Sequence, residues 1–180
     1  MSTMYVNKVQ ELNVGSGVQI PGHVVQTVIV ENTDIGGRVS TNSTSVVELK
    51  TNYRINITPK KVGNIILCEW QYHMYVPAGS YGGIFPYVSV NGGSFVAATA
   101  VMNSSSGYAK GFAPAAYANE THRYSGSSGG FWAPYTQKCY HTVTSLTPHI
   151  FTLYINLGAG SFTQGDNGPN TIAQAMEIAV

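Results

Sequence analysis

Residues 53–76 constrain the fold of this chain more than any other stretch, because they read as two β-strands joined by a short turn. In the first run, Tyr53, Ile55 and Ile57 alternate with polar residues, which is the period of a half-buried strand. The second run is apolar on one parity throughout, at Ile66, Cys68, Trp70, Tyr72, Met74 and Val76. The alternate positions of this run are apolar at its start and polar toward its end. We therefore predict a central strand whose far half opens toward solvent or a partner.

The chain from residue 24 onward reads as short strands separated by turns rich in glycine and proline. We predict strands near residues 24–31, 45–50, 53–58, 64–76, 85–90, 94–101, 108–113, 131–146, 149–157 and 171–179. Asn91-Gly92 favours a tight hairpin turn, since both residues tolerate positive φ. No stretch shows sustained helical periodicity. About ten short strands at this spacing predict an all-β fold, an antiparallel two-sheet β-sandwich.

Residues 1–23 differ from the rest because they alternate weakly and contain few apolar side chains. The segment is too short and too polar to bury itself, so we predict an extended N-terminal arm that packs against other chains. Tyr5, Val9, Leu12 and Ile20 are its candidate contact residues. Residues 24–180 then form the β-sandwich domain.

Charge is scarce in this sequence, and that scarcity excludes several classes of partner. Only 9% of residues are charged, against about 25% in an ordinary soluble domain. The net charge is +1 and no basic stripe is present, which argues against nucleic-acid binding. No apolar run reaches the roughly 18 residues of a membrane span. The N-terminus lacks the pattern of a secretion signal, so we expect folding in a cytosol.

The sequence predicts no catalytic, cofactor-binding or metal-binding residues. Catalysis needs titratable groups brought together, and the close carboxylate pair Glu31 and Asp34 falls in a predicted turn. The five histidines include no i, i+2 pair on a strand. Cys68 and Cys139 lie far apart in sequence, and we expect free thiols rather than a disulfide or a zinc site. We therefore expect a protein that is not an enzyme.

Three segments together resemble the C-terminal knob of bacteriophage fibre proteins, which are virion structural proteins common in phages of marine bacteria. The first is IPGHVVQ at residues 20–26, at the start of the predicted sandwich. The second is the strand end INITPK at residues 55–60, and the third is the closing strand that finishes in MEIA at residues 176–179. The three segments occur in the order expected for such a knob.

The resemblance implies a jelly-roll-like sandwich, related in shape to tumour-necrosis-factor and complement C1q heads, that assembles as a homotrimer. It also implies attachment to other virion proteins through the N-terminal arm. The 12 tyrosines support association, since tyrosine offers a large contact area with little loss of entropy. Tyr81, Tyr124 and Trp132 adjoin glycine-rich segments and are our candidates for binding a host-surface glycan or protein.

Three functions remain open from the sequence. The protein is a short head or tail fibre that binds the host cell, or a decoration protein that stabilises the capsid or tail. Both roles place it in the virion, after assembly in the host cytoplasm. The third reading is a soluble C1q-like or lectin-like binding module, against which the missing secretion signal counts.

Overall fold

A computed structural model gives the fold of residues 20–32, 39–78, 80–98, 122–123, 131–164 and 171–180. These residues are almost entirely β-structure. Their strands are β1 (Val24–Asn32), β2 (Val39–Thr41), β3 (Val47–Glu48), β4 (Ile55–Ile57), β5 (Ile65–Val76), β6 (Tyr81–Val90), β7 (Val96–Ala97), β8 (His122–Arg123), β9 (Phe131–Thr142), β10 (His149–Ala159), β11 (Phe162–Gln164) and β12 (Thr171–Ile178). A single 3-10 turn, Thr51–Tyr53, precedes β4 in the described part of the chain.

The strands form two antiparallel sheets of six strands each. Sheet I consists of β1, β2, β5, β9, β11 and β12, and sheet II of β3, β4, β6, β7, β8 and β10. Several short strands share one position in their sheet. Strands β3 and β4 both pair with the same edge of β10, and β7 and β8 both pair with the same edge of β6. Likewise β11 and β12 share one edge of β5, so each sheet is four positions wide.

The pairing order defines a jelly roll. Strands β1 and β2, the first in the chain, pair with the last two, β12 and β11 respectively. The next two strands, β3 and β4, both pair with β10. Further inward, β5 pairs with β9 and β6 pairs with β7 and β8. Four nested antiparallel pairs, divided alternately between two sheets, are the arrangement of a double Greek key rolled into a sandwich. The predicted antiparallel two-sheet sandwich is therefore confirmed.

The core lies between the sheets, and β5 supplies its centre. Ile66, Cys68, Trp70 and Tyr72 are all buried, as their parity predicts. Trp70 is fully buried, and its indole N–H donates to the Tyr53 carbonyl at 2.9 Å. This bond satisfies the one polar group of the indole, so that the largest core side chain is buried without loss of a hydrogen bond. Sheet II contributes the facing layer, Ile55, Ile84, Val88, Phe151, Leu153 and Ile155.

The predicted strands agree with the structure where they are long. The Asn91-Gly92 hairpin is present, with positive φ at both residues and Val88 paired with Val96. The prediction for 45–50 was too long, because only Val47–Glu48 pairs as β3. The prediction for 85–90 was too short, since β6 begins at Tyr81. Strands β2, β8 and β11 were missed, being two or three residues long with no room for alternation. The strand predicted at 108–113 lies outside the described residues.

Most of the predicted N-terminal arm, including Tyr5, Val9 and Leu12, lies outside the described residues. Its last part is described: Ile20 to His23 form a turn, with Gly22 at a φ of 85°. The backbone N–H of Gly22 donates to the Ala179 carbonyl at 2.8 Å, and Ala179 N–H donates to the His23 carbonyl at 2.9 Å. Ile20 is 44% exposed. The chain therefore enters the sandwich beside the end of β12.

Candidate functional site

The three predicted receptor-binding residues fall on different elements. Tyr81 begins β6 in sheet II, where it pairs with Arg123, and Trp132 lies in β9 of sheet I opposite Tyr75. Tyr124 lies outside the described residues, as do the side chains of Tyr81 and Trp132. Because only a short connection separates the end of β5 from Tyr81, the backbones of Tyr81 and Trp132 belong to the same end of the sandwich.

An aromatic patch that was not predicted from the sequence lies on the outer face of sheet II. We define the patch as Arg54, Tyr87, Phe95 and Tyr154. The rings of Tyr87 and Tyr154 stack with centroids 4.2 Å apart, and Phe95 lies 5.8 Å from Tyr154. The Arg54 guanidinium lies 5.2 Å above the Phe95 ring, within cation–π range. All four side chains are half-buried, so part of each ring remains open to solvent.

Glu48 fixes the position of Arg54 in this patch. Arg54 donates from Nε and Nη2 to the two Glu48 oxygens at 2.8 and 2.7 Å, and Thr152 Oγ1 donates to Glu48 at 2.9 Å. The hydrogen bonds from Arg54 hold the pKa of Glu48 below its usual value, although partial burial opposes them. Burial and the nearby Glu48 charge raise the pKa of Tyr154. The patch therefore presents aromatic rings beside an ion pair whose two charges compensate each other.

The sequence carries a signal for this patch in the strand parity of its tyrosines. Tyr87 and Tyr154 occupy the strand parity opposite the core residues Val88 and Leu153. Outward positions of an antiparallel sandwich are ordinarily polar. Two aromatic residues at outward positions on strands that pair with each other, β6 and β10, are thus informative once the pairing is known.

A second surface, the outer face of sheet I, is apolar at one end. We define the apolar face by the outward side chains Ile29, Ile65, Leu67, Tyr140, Met176 and Ile178. Leu67 stands between Met176 on β12 and Tyr140 on β9, so that three apolar side chains form one row across the sheet. Ile29 is 59% exposed and Tyr140 is 38% exposed.

A single ion pair lies in the middle of this sheet face in the part of the chain that is described. Lys138 Nζ lies 2.7 Å from Glu69 Oε2, and Gln71 Nε2 donates to Glu69 Oε1 at 2.7 Å. Partial burial tends to raise the pKa of Glu69, but the hydrogen bonds from Lys138 and Gln71 outweigh it and leave the pKa lowered. The middle of the face therefore carries one positive and one negative charge side by side.

A buried carboxylate at Glu177 joins three distant segments. Its oxygens accept the backbone N–H groups of Lys60 at 3.0 Å and Lys61 at 3.2 Å. They also accept the side-chain amides of Asn64 at 2.7 Å and Gln26 at 2.6 Å. Glu177 is fully buried, and such a charge is tolerated only when hydrogen bonds replace its lost water. Glu177 therefore serves as a clamp on the turn between β4 and β5.

Two buried histidines face each other between the sheets. The rings of His141 on β9 and His149 on β10 lie 5.3 Å apart at an interplanar angle of 60°. His149 Nδ1 lies 2.7 Å from the Thr147 carbonyl, so Nδ1 carries the proton and Nε2 a lone pair when the ring is neutral. That Nε2 and both nitrogens of His141 have no hydrogen-bond partner among the described residues. Burial lowers the pKa of His141, and His149 lowers it further.

The two cysteines are neighbours in space, which the sequence did not indicate. Cys68 and Cys139 pair directly across β5 and β9, and both are buried, free cysteines. Burial raises the pKa of Cys68 well above its usual value, and the contact with Cys139 adds to this. A protonated, buried thiol is a poor nucleophile. These residues therefore act as small core side chains.

Within the described ranges, no group of three or more His, Cys, Asp and Glu side chains is placed to hold a metal ion. None of the described residues forms a helix that is long and apolar enough to cross a membrane. The candidate binding surfaces in the described part of the chain are therefore the outer faces of the two sheets.

The fold and these surfaces define the protein as an antiparallel jelly-roll β-sandwich with a buried carboxylate clamp and two apolar or aromatic outer faces. No protein-family model and no curated protein matches this chain.

Proposed function

We propose that this chain is a non-enzymatic virion structural protein of a bacteriophage, a homotrimeric short fibre or knob that attaches through its N-terminal arm and binds the host cell surface. The observation that carries the proposal is the clamp at Glu177. Each of the three segments that resemble phage fibre knobs supplies part of it: Gln26 from the first, Lys60 from the second and Glu177 from the third. A jelly-roll sandwich is also the fold that the resemblance implies.

This convergence supports the resemblance for a physical reason. The Gln26 and Glu177 side chains lie 151 positions apart in sequence, yet they share a hydrogen bond of 2.6 Å. If the three short segments resembled fibre knobs only by chance, there would be no reason for their residues to meet around one buried charge. A set of residues that satisfies one carboxylate has to be retained together, since loss of any donor leaves the charge less well compensated.

Within this proposal the aromatic patch on sheet II binds the host, in addition to the sequence candidates Tyr81, Tyr124 and Trp132. Phenol and phenyl rings stack on the apolar faces of sugars, and Arg54 is held in place by Glu48. Because the patch compensates its own charges, the recognised group is an uncharged part of a surface glycan or protein. The apolar face of sheet I is left for assembly.

Gold-labelled antibodies against the protein, applied to particles released from the lysed source culture, test this function. A knob or fibre predicts label at discrete projections from the particle. Label distributed evenly over the shell or the tail tube would support the decoration role instead. Particles without label, with the protein recovered free in the medium, would contradict a virion role and favour the soluble binding module.

A further inference from the structure

The apolar face of sheet I departs from the usual pattern of an antiparallel sandwich. Such sheets place apolar residues inward and polar residues outward. Here the inward residue Ile66 is flanked by the outward residues Ile65 and Leu67, so both faces of β5 are apolar at this end. The neighbouring strands continue the pattern with Met176 and Tyr140. No described element packs over this surface.

The whole outer face of sheet I, which includes the apolar face at one end, is as large as one side of a stable protein interface. Four strand positions at about 4.8 Å spacing give a width of roughly 19 Å, and the 12 residues of β5 give a length of roughly 40 Å. The product, roughly 700–800 Å², is close to the approximately 800 Å² that each partner contributes to a standard interface.

The charges on the face favour a second copy of this chain as its partner. Glu69 and Lys138 present opposite charges side by side near its centre. In a ring of three copies, Lys138 of each copy can therefore lie near Glu69 of one neighbour, and its Glu69 near Lys138 of the other. The face offers no block of like charge, and the whole chain has a net charge of only +1, so copies repel one another weakly.

We propose that the apolar face of sheet I is the interface between copies of this chain, with Leu67, Met176 and Tyr140 at its centre and Ile29 toward its edge. The inference deepens the proposed function and rests on the homotrimer in it, since it names the surface by which the trimer forms. In a closed ring of three copies each copy contacts two neighbours, and the outer face of sheet I of every copy lies toward the threefold axis. The aromatic patch on sheet II then points outward.

The test introduces a charge into the face and measures the mass of the assembly. We expect the full-length chain to scatter light as three copies of 19.2 kDa at micromolar concentration. Leu67→Glu and Met176→Glu should each reduce the mass to one copy, because three glutamates would meet in an apolar interface. Ile29→Glu, at a position 59% exposed, carries less risk to the fold and should weaken the trimer at least tenfold.

Matched controls are available at equally exposed apolar positions elsewhere. Val96 on β7 and Leu146 before β10 are 57% and 53% exposed, and Val96→Glu and Leu146→Glu should leave the trimer intact. Circular dichroism and tryptophan fluorescence, to which the buried Trp70 contributes, establish that each variant is folded. A folded Ile29→Glu or Leu67→Glu variant that remains fully trimeric overturns the assigned face.

The outcomes also separate this inference from the proposed function. If the wild type is a trimer that these variants leave intact, the assigned face is wrong and the trimeric knob survives. If the variants separate the copies but antibodies find no protein on particles, the interface stands and the virion role fails. If deletion of residues 1–19 alone gives monomers, the arm holds the trimer together and the assigned face is overturned.

Discussion

The side-chain amide of Asn64 donates to the carboxylate of Glu177 at 2.7 Å, across 113 positions of sequence. Both groups are buried. Asn64 ends the turn that leads into β5, and Glu177 lies near the end of β12. This bond, with those from the backbone of Lys60 and Lys61, fixes the turn against the last strand of the fold. Glu177 therefore ties the turn between β4 and β5 to the last strand through its side chain.

We expect Glu177→Gln to destabilise the protein by about 3 kcal/mol, because an amide nitrogen would face the buried N–H donors and leave them unpaired. Urea unfolding at neutral pH, followed by circular dichroism, measures the change. Glu31→Gln is the matched control, since Glu31 is exposed on β1 and should alter stability by less than about 0.5 kcal/mol. Similar losses at both positions would contradict the clamp.

Trp70→Ala should cost about 3–5 kcal/mol, because it removes the largest fully buried side chain and the donor to the Tyr53 carbonyl. Glu69→Ala, on the opposite parity of β5, should cost no more than about 1 kcal/mol, since its ion pair with Lys138 is partly exposed. Chemical denaturation checks the difference, with both variants made in the Ile29→Glu background, since Glu69 lies on the proposed interface and is partly exposed only in separated copies. Equal and small effects would show that the register of β5 is wrong.

The histidine pair predicts a loss of stability on mild acidification. The pKa of His141 in the folded protein lies below its ordinary value of 6.5, so the unfolded chain takes up the proton first. The contribution of neutral His141 is fully present above pH 6.5 and is lost as the pH falls through the folded pKa. His149 is the titratable group facing it, with Phe151 at 5.7 Å on the same side.

Free energies of unfolding at pH 7.0 and at about pH 5 measure this loss. The variant His141→Phe should abolish most of the decrease between the two values. The lowered pKa values of Glu48 and Glu69 affect stability in a more acidic range of pH. Their contributions to the free energy of unfolding are present above pH 4.5, the ordinary pKa, and are lost as the pH falls through the folded pKa values. A decrease between pH 7 and 5 that persists unchanged in the variant would assign it to other groups.

Gly160 is required by a close approach as well as by its backbone conformation. Its φ is +78°, and a Cβ placed on it would lie 2.8 Å from the Ser80 Cα. Ser80 Oγ in turn accepts the Ser161 N–H at 3.1 Å. We expect Gly160→Ala to cost more than about 2 kcal/mol, since left-handed backbone alone costs about 1–2 kcal/mol for an L-residue. Thermal unfolding tests this expectation. Gly63→Ala is the comparison, because Gly63 also has a positive φ but a Cβ on it would meet no atom within 4 Å. Its loss of stability therefore gives the cost of the backbone conformation without the steric clash.

Binding to host cells should depend on the aromatic patch and should hold at high salt, because the exposed rings carry no charge to screen. Tyr154→Ala should weaken binding of fluorescently labelled protein roughly tenfold, the equivalent of one contact of about 1.4 kcal/mol. Leu146→Ala, at an exposed position away from the patch, is the control. Parallel alanine variants at Tyr81, Tyr124 and Trp132 distinguish the patch from the sequence candidates. Binding that disappears in high salt would contradict the chemistry proposed for both.

Local pattern alone was enough to predict much of the fold. The alternation along residues 65–72 predicted which side chains of β5 are buried, because neighbouring residues of a strand point to opposite faces. Asn91-Gly92 predicted its turn, since few residues tolerate positive φ. The spacing of strands and turns predicted the all-β sandwich. These features are encoded within a few consecutive residues.

Only the tertiary structure decided which strands meet. Periodicity shows that Cys68 points inward, but the register of β5 against β9 places Cys139 opposite it. In the same way, the stacking of Tyr87 on Tyr154 and the donors around Glu177 come from segments far apart in sequence. Register between distant strands is set by packing of the whole core, where a slip of one residue would turn every side chain to the other face. For that reason the candidate surfaces of this protein emerged from the fold, while the strands that bear them were largely predicted from the sequence.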